Sequence, residues 1–388
     1  MKIGIFTDSY LPYTSGVVRS IETFKEELTN LGHEVYIFAP RYKKNCQKES
    51  RVFRFASIPS LTNPDFALAV PFSLHLKPII KDLKLDLIHV HSPFLLGWVG
   101  ARYARKEGIP LVFTYHTLYE EYVHYIPLSG TLKKDIVQRL SRDFCNHCDM
   151  VIVPTAIIGS YLRKIGVTTK LRKVPTGIKT DRFRNGDSKW LRQLFNISPQ
   201  DNILLFVGRL GQEKNIGLLL ESFRLVKNER KNTKLVLVGG GPQEEELRSQ
   251  AESLGIGDSV FFTGILSPEE VTNCYAGSDI FVFSSMTETQ GLVIAEAKAA
   301  GLPVVAVGAN GVTEMVEDGI DGYLTGPDPG ELAECICYLL KHDGIRREMG
   351  NKAREYADNL SAANCTRQLL NCYMEITEEH QEAKVDRI

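Results

Sequence analysis

Two glutamates, Glu288 and Glu296, lie eight residues apart in Ser285-Met-Thr-Glu-Thr-Gln-Gly-Leu-Val-Ile-Ala-Glu-Ala-Lys-Ala-Ala-Gly301. The pattern predicts a strand end, a turn, a short helix stopped at Gly301, and another strand, Pro303–Val307. Glu288 falls in the turn, and Glu296 falls about one and a half turns into the helix. The backbone N–H groups of Thr289, Gln290, Gly291, Leu292 and Val293 lack partners within such a helix and point at whatever anion lies there. A site of this kind holds a diphosphate on amides while two carboxylates accept hydrogen bonds from neutral hydroxyls. A sugar nucleotide presents that combination. The plainer alternative is that Glu288 favours the helix dipole and Glu296 is an ordinary surface residue. For two glutamates alone, that alternative is the better one.

The neighbouring residues reverse the balance. Glu-x7-Glu enclosing Gly291, Ala295 and Ala297 flanking the second acid, and Gly301-Leu-Pro-Val-Val305 following it resemble the retaining glycosyltransferases of family four. That resemblance implies the GT-B fold, with Glu288 contacting the donor sugar and Glu296 holding the ribose hydroxyls of the nucleotide. Where the family usually has Phe, this chain has Gln290. Thr289-Gln-Gly291 looks more like the subset that glycosylates membrane diacylglycerol.

Other segments take their meaning from the same resemblance. Gly208-Arg-Leu-Gly-Gln-Glu-Lys-Asn215 puts Arg209 and Lys214 at a strand tip, where open α/β sheets bind ligands. As a surface pair they read as solvated cations. As a match to the family's Gly-Arg…Glu-Lys-Asn motif they neutralise the donor diphosphate and the charge that grows on it. Ser15-Gly16 resembles the family's glycine-rich loop near the donor phosphates, with Ser15 replacing the first of two usual glycines. His116, closing Thr114-Tyr-His-Thr117, matches a cleft histidine that would hydrogen-bond the transferring sugar. Gly264, Ile265 and Leu266 resemble the segment that meets the nucleotide base through backbone groups, which leaves uracil and guanine both open. Asp8 and Tyr10, after the first strand, are acceptor-side candidates. His89 and His91 read as lining with no assigned role. Val238-Gly-Gly-Gly-Pro242 lacks the Gly-x-Gly-x-x-Gly spacing of a dinucleotide loop.

Positioning such groups needs strands that end at one edge. Strand and helix patterns alternate from Lys2–Thr7 onward and restart after Pro175–Phe183, so two doubly wound parallel sheets are expected. The chain's 388 residues exceed one ordinary core. The expected division is an acceptor- and membrane-facing domain at 1–180, a donor domain at 181–360, and a C-terminal helix within 361–388 crossing back onto the first. The resemblance implies that the two domains face a cleft.

Charge is lopsided although the net value is −1. Residues 1–180 contain 25 Lys and Arg against 15 Asp and Glu, and residues 181–388 contain 21 against 32. An anionic partner for the first domain follows, either nucleic acid or an anionic membrane. No nucleic-acid module is visible, which favours the membrane. No segment is apolar enough to span a bilayer, and the first strand is too short and too soon followed by Asp8 to be a signal peptide. The eight cysteines are then expected as free thiols in a reducing compartment. Cys145-Asn-His-Cys148 is only half of a zinc pattern.

Thr131–His147 is predicted as an amphipathic helix. Leu132, Ile136, Val137, Leu140 and Phe144 form its stripe, and Lys133, Lys134, Arg139 and Arg142 are its cations. Tyr119, Tyr122 and Tyr125 precede it. Residues 65–72, followed by Lys77, Lys81 and Lys84, are a second apolar candidate. Most amphipathic helices pack on their own core; a membrane role requires exposed apolar residues beside cations.

The expected activity is therefore a metal-independent, retaining transfer of a hexose, glucose from UDP-glucose, onto a diacylglycerol-type lipid at the cytoplasmic face of the membrane. The alternatives are a soluble or glycan acceptor, a sugar-nucleotide epimerase, and a non-catalytic sugar-nucleotide-binding protein.

Overall fold

Short runs of Val, Ile, Leu and Phe bounded by Gly and Asp become the strands of two parallel sheets. The computed structural model describes residues 1–42, 50–59, 67–73, 76–121 and 132–385. Tyr122 and Tyr125 lie outside the described residues, as do Asp65 and Phe66 of the second apolar candidate.

The chain divides into two compact units, residues 1–177 with 362–388, and residues 178–361. In the first unit the strands are β1 (Lys2–Phe6), β2 (Glu34–Pro40), β3 (Val52–Phe55), β4 (Ser57–Pro59), β5 (Ala67–Ala69), β6 (Leu87–Val90), β7 (Leu111–Thr114), β8 (Met150–Val153) and β9 (Lys170–Lys173). Seven of them form one parallel sheet in the order β3-β2-β1-β6-β7-β8-β9, while β4 and β5 pair separately and antiparallel. The chain winds outward from β1 and then crosses to β6, so the strand order reverses between those two. Ile5 pairs with His89 and Phe6 with Val90 at that point. Stacked rings of Phe6 and Phe38, 4.4 Å apart, and the edge-on Phe113–Phe144 pair fill one core on a single side of the sheet, where Phe6, Val90 and Phe113 are in register.

The second unit carries β10 (Asn202–Val207), β11 (Thr233–Val238), β12 (Val260–Gly264), β13 (Ile280–Phe283), β14 (Val304–Val307) and β15 (Gly322–Thr325), ordered β12-β11-β10-β13-β14-β15. Its reversal lies between β10 and β13, whose following loops carry Lys214 and Glu288. Crevices outside the carboxyl ends of strands at such reversals are where open α/β sheets bind ligands. The architecture is the expected pair of doubly wound parallel sheets.

The chain then returns to the first unit as the helix Ala362–Val385, which packs on the helix Gly16–Asn30. It carries Glu375 to Lys170 (3.0 Å) and Arg172 (2.5 Å) of β9. Its Tyr373 is fully buried. No helix among the described residues is long and apolar enough to cross a membrane.

One buried ion pair underlies the helix Leu292–Ala300. Lys298 is 0% exposed, reaches Asp321 at 2.5 Å and the Met315 carbonyl at 2.8 Å, and lies 3.3 Å from the centre of the Tyr356 ring. Burial pushes its ammonium down to about 8, against the pull of Asp321. Removing one member of such a pair strands the other, at a cost of about 3–5 kcal/mol. Lys298→Met is accordingly expected to lower the urea midpoint sharply. Adding Asp321→Asn, which can keep the bond from the Glu317 N–H, should restore part of the loss.

Candidate functional site

Glycine decides how closely the loops of the second unit can meet. A side chain on Gly239 would lie 2.0 Å from the Gly208 carbonyl oxygen, and one on Gly241 2.2 Å from that of Leu210. The loop after β11 therefore packs directly on the loop after β10. The β10 loop is tied to the end of β13 by two hydroxyls. Ser284 Oγ donates to the Lys214 carbonyl (2.8 Å) and Ser285 Oγ to that of Glu213 (3.0 Å). Lys214 Nζ then meets Glu288 Oε1, which also lies 3.0 Å from Ser285 Oγ, so the one hydroxyl proton of Ser285 is shared between that carboxylate and the Glu213 carbonyl. Both charged side chains are mostly covered. Arg209 is exposed at the mouth of the same loop.

Glu288 is held by its backbone as well. Its carbonyl accepts from the Gly311 N–H at 2.9 Å, and Gly311 must be glycine because a side chain there would strike the Thr289 carbonyl at 2.1 Å. Thr289 and Gln290 are buried beside it. Gly291 turns the chain with φ +87° into the helix Leu292–Ala300, whose opening amides at Leu292 and Val293 precede the first closed turn. Glu296 is the fifth residue of that helix and 5% exposed, so it is not an ordinary surface glutamate. Its Oε2 accepts from Tyr275 OH at 2.9 Å. A carboxylate has about four lone-pair directions, which leaves it acceptor capacity for a diol. At the end of β12, Gly264 adopts φ +68° and accepts from the Gly239 N–H at 3.0 Å, while Ile265 is 87% exposed and Leu266 half-buried.

In the first unit, Ser15 is the N-cap of the helix Gly16–Asn30 and accepts from the Val18 N–H at 3.3 Å. That bond gives Ser15 its own reason to stand where the family has glycine. Among the described residues beyond its own helix turn, no atom lies within 4 Å of the point where a Gly16 side chain would begin, so they do not require glycine there. Asp8 is buried at the β1–β6 reversal, accepting from Ser92 Oγ (2.6 Å) and the Leu96 N–H (3.0 Å). Burial raises its pKa against those hydrogen bonds. Tyr10 is fully buried, its hydroxyl bonded to Glu22 and to Lys25 (3.0 Å), a packed position rather than a surface one.

His116 is half-buried past β7, with Nε2 2.8 Å from His91 Nδ1. His89 is fully buried between Tyr373 OH (2.6 Å) and Thr114 Oγ1 (2.7 Å). Burial pushes the pKa of His89 and of His116 down to about 3, so both are neutral at physiological pH. Sequence reasoning left His89 and His91 without a role and did not single out Ser285 or Tyr275. These residues act through partners 3 to 284 positions away, and no local pattern marks them.

The amphipathic helix spans Leu132–His147, but its apolar stripe divides. Phe144 is fully buried and Val137 half-buried, whereas Ile136 and Leu140 are each 56% exposed. Lys134 pairs with Glu121 (2.9 Å) and Arg142 with Asp143 (2.7 Å), while Arg139 is exposed. Lys133 lies within the helix. Trp98, partly exposed on the neighbouring helix Leu95–Glu107, packs edge-on against Phe144 at 5.0 Å, with Phe94 and Leu95 exposed at that helix's start. In the second apolar candidate, Leu68, Val70 and Phe72 are exposed at and beyond β5.

Residues 14–182 match the family model for Glycosyltransferase Family 4, and residues 188–356 that for Glycosyl transferases group 1. The alpha-monoglucosyldiacylglycerol synthase of Streptococcus pneumoniae is 38% identical over 84% of this chain and 75% of its own length. The enzyme of the same name from Acholeplasma laidlawii is 30% identical over 94% and 96%. Among solved structures, sucrose-phosphate synthase from Thermosynechococcus elongatus superposes with a TM-score of 0.81 at 22% identity, covering 97% of this chain and 99% of its own. HepE of Anabaena in complex with UDP-glucose gives 0.78 at 20%, covering 97% and 100%. These two likenesses place the fold as GT-B.

Neutral buried histidines have a thermodynamic signature. With its folded pKa depressed, His89 binds no proton between pH 6.5 and about 3, whereas the unfolded chain does. Stability contributed there is present above pH 6.5 and is lost as pH falls, by up to about 1.4 kcal/mol per pH unit for each such group. Urea unfolding followed at pH 7 and pH 5 should show the lower midpoint at pH 5, with a smaller difference in His89→Gln.

Proposed function

On the premise that this chain belongs to the family 4, group 1 glycosyltransferases, we propose that it moves a hexose from a nucleotide sugar onto a diacylglycerol-type lipid with retention of anomeric configuration. The observation that carries the transfer chemistry is the Lys214–Glu288 pair beside the opening amides of the helix Leu292–Ala300. The bond from the sugar C1 to the diphosphate oxygen breaks, and a bond from C1 to the acceptor oxygen forms on the same face. The acceptor's proton passes to the departing diphosphate. Arg209, Lys214 and the amides from Gln290 to Val293 stabilise the negative charge that develops, without a required metal ion. Glu288 contacts the donor sugar, Glu296 the ribose hydroxyls, and His116 donates or accepts a hydrogen bond at the transferring sugar as a neutral imidazole. The donor reading is glucose from UDP-glucose, and the lipid reading draws on the relatives' names together with the exposed apolar residues.

Release of UDP from UDP-glucose, measured in EDTA with and without anionic liposomes containing diacylglycerol, tests this directly. A glycolipid product formed with liposomes, and lowered about 10²–10³-fold by Glu288→Ala, is expected. Undiminished turnover in that variant, or product from the sugar nucleotide alone, would sink the assignment.

The acceptor's location favours docking on the inner face of the membrane through the first unit. Ile136 and Leu140 supply exposed apolar surface next to Arg139 and Lys134. The exposed ion pairs of Lys134 and Arg142 are weak enough to exchange for anionic headgroups. Ile136→Asp with Leu140→Asp should lower sedimentation with anionic vesicles about tenfold or more, since each side chain contributes on the order of 1.5–3 kcal/mol when buried. Transfer to a soluble short-chain diacylglycerol should be unchanged.

A further inference from the structure

The helix Leu95–Glu107 starts at the β1–β6 reversal, the place in the first unit's sheet where open α/β sheets bind ligands. Its start is held from several sides. Asp8, just past β1, accepts from the Leu96 N–H at 3.0 Å and so satisfies one of the helix's opening amides. Ser92 Oγ donates to the Asp8 carboxylate at 2.6 Å and accepts from the Asp8 N–H at 2.8 Å. A side chain on Gly97 would lie 2.0 Å from the Ser92 carbonyl oxygen, so the helix presses directly on the loop that leads into it.

This fixed corner holds apolar side chains out in water. Phe94, Leu95 and Trp98 are between 40% and 47% exposed, while Leu96, Gly100, Ala101 and Ala104 supply the face that meets the core. Farther along, the exposed side chains are those of Arg102, Arg105 and Lys106. The outward face is therefore apolar at the end nearest the strand tips and cationic beyond it. Trp98 stands edge-on to Phe144, and one turn before Phe144 on that helix is the exposed Leu140. Through Trp98 the corner adjoins the surface proposed above to meet the membrane. Single exposed apolar residues are ordinary, but three together on a rigid corner at a ligand-binding reversal mark a contact surface.

We infer that Phe94, Leu95 and Trp98 form the subsite for an acyl chain of the acceptor diglyceride, whose free hydroxyl then comes to rest over the strand tips. This deepens the reading of a diacylglycerol-type acceptor and rests on it. A diglyceride is the occupant because its apolar chain matches the corner, and the corner adjoins the surface where such a lipid resides.

Trp98 is one of two tryptophans, so in Trp190→Phe protein its emission reports on the corner alone. Dihexanoyl- or dioctanoylglycerol, below its aggregation concentration, should shift that emission to the blue and saturate. Phe94→Ser with Leu95→Ser should weaken the binding about tenfold or more. In the unmodified chain, kcat/KM for the acceptor should rise from dibutanoyl- to dioctanoylglycerol by up to about fourfold per methylene, and the serine pair should flatten that series. The KM for UDP-glucose should change little. Trp98 emission unmoved by every diglyceride would overturn the inference, whether or not the serine pair folds. A folded serine pair with an unchanged chain-length series would also overturn it. Lost vesicle sedimentation beside that unchanged series would make the corner a bilayer contact only, and loss of a dimer would make it an interface between copies. If Trp98 responds and the serine pair abolishes the response, yet no diglyceride is glycosylated, the proposed transfer fails and the acyl subsite stands.

Discussion

The geometry of the donor-side site depends on one mostly buried ion pair, Lys214 with Glu288, drawn from loops 74 residues apart. Two charges removed from water lose more hydration energy than they gain from each other unless further hydrogen bonds and fixed geometry compensate. Here the compensation is visible. Ser285 Oγ shares its proton between the carboxylate and the Glu213 carbonyl, and the Ser284 hydroxyl binds the backbone that carries the lysine. Glycines at 239, 241 and 311 let the backbones close to distances no side chain would permit. A cation held this way is fixed in advance, which is what the proposed transfer asks of a group that meets charge developing on a leaving group.

The first unit uses the opposite electrostatic strategy. At its strand tips, burial keeps His89 and His116 neutral rather than paired as ions. Histidines stack on one another and take their partners from hydroxyls, one of them on the helix that returns from the far end of the chain. The same returning helix pairs with Lys170 and Arg172 of β9 through Glu375 and Glu379.

The outward side of the helix Leu132–His147 shows how an amphipathic pattern can serve two purposes. Phe144 and Cys145 fill the core, while Ile136 and Leu140 remain in solvent beside cations. Hydrophobic periodicity alone records only that one stripe is apolar. Which part of the stripe the core uses depends on the neighbouring helix with Trp98, whose ring covers Phe144.

Much of the architecture was legible from sequence because buried parallel strands are continuous apolar runs, and those runs carry their own boundaries in Gly, Pro and Asp. The strands β1, β2, β10, β11, β13 and β14 read this way, as did the helix between Gly291 and Gly301. Glu288 and Glu296 were legible together because their spacing is contiguous in the chain. Lys170-Leu-Arg-Lys173 was not read as a strand: three cations in four residues look like a loop until acids some 200 positions later pair with two of them, Lys170 and Arg172. The pairing of Lys214 with Glu288, the burial of Glu296 under Tyr275, and the contact of His91 with His116 were likewise decided only by the tertiary structure. Sequence by itself determined the elements and the chemical groups at their ends, because local backbone preference and hydrophobic period act over a few residues. The partners of those groups come from distant segments, and only the closed fold sets which hydroxyl, glycine or ring stands beside each charge.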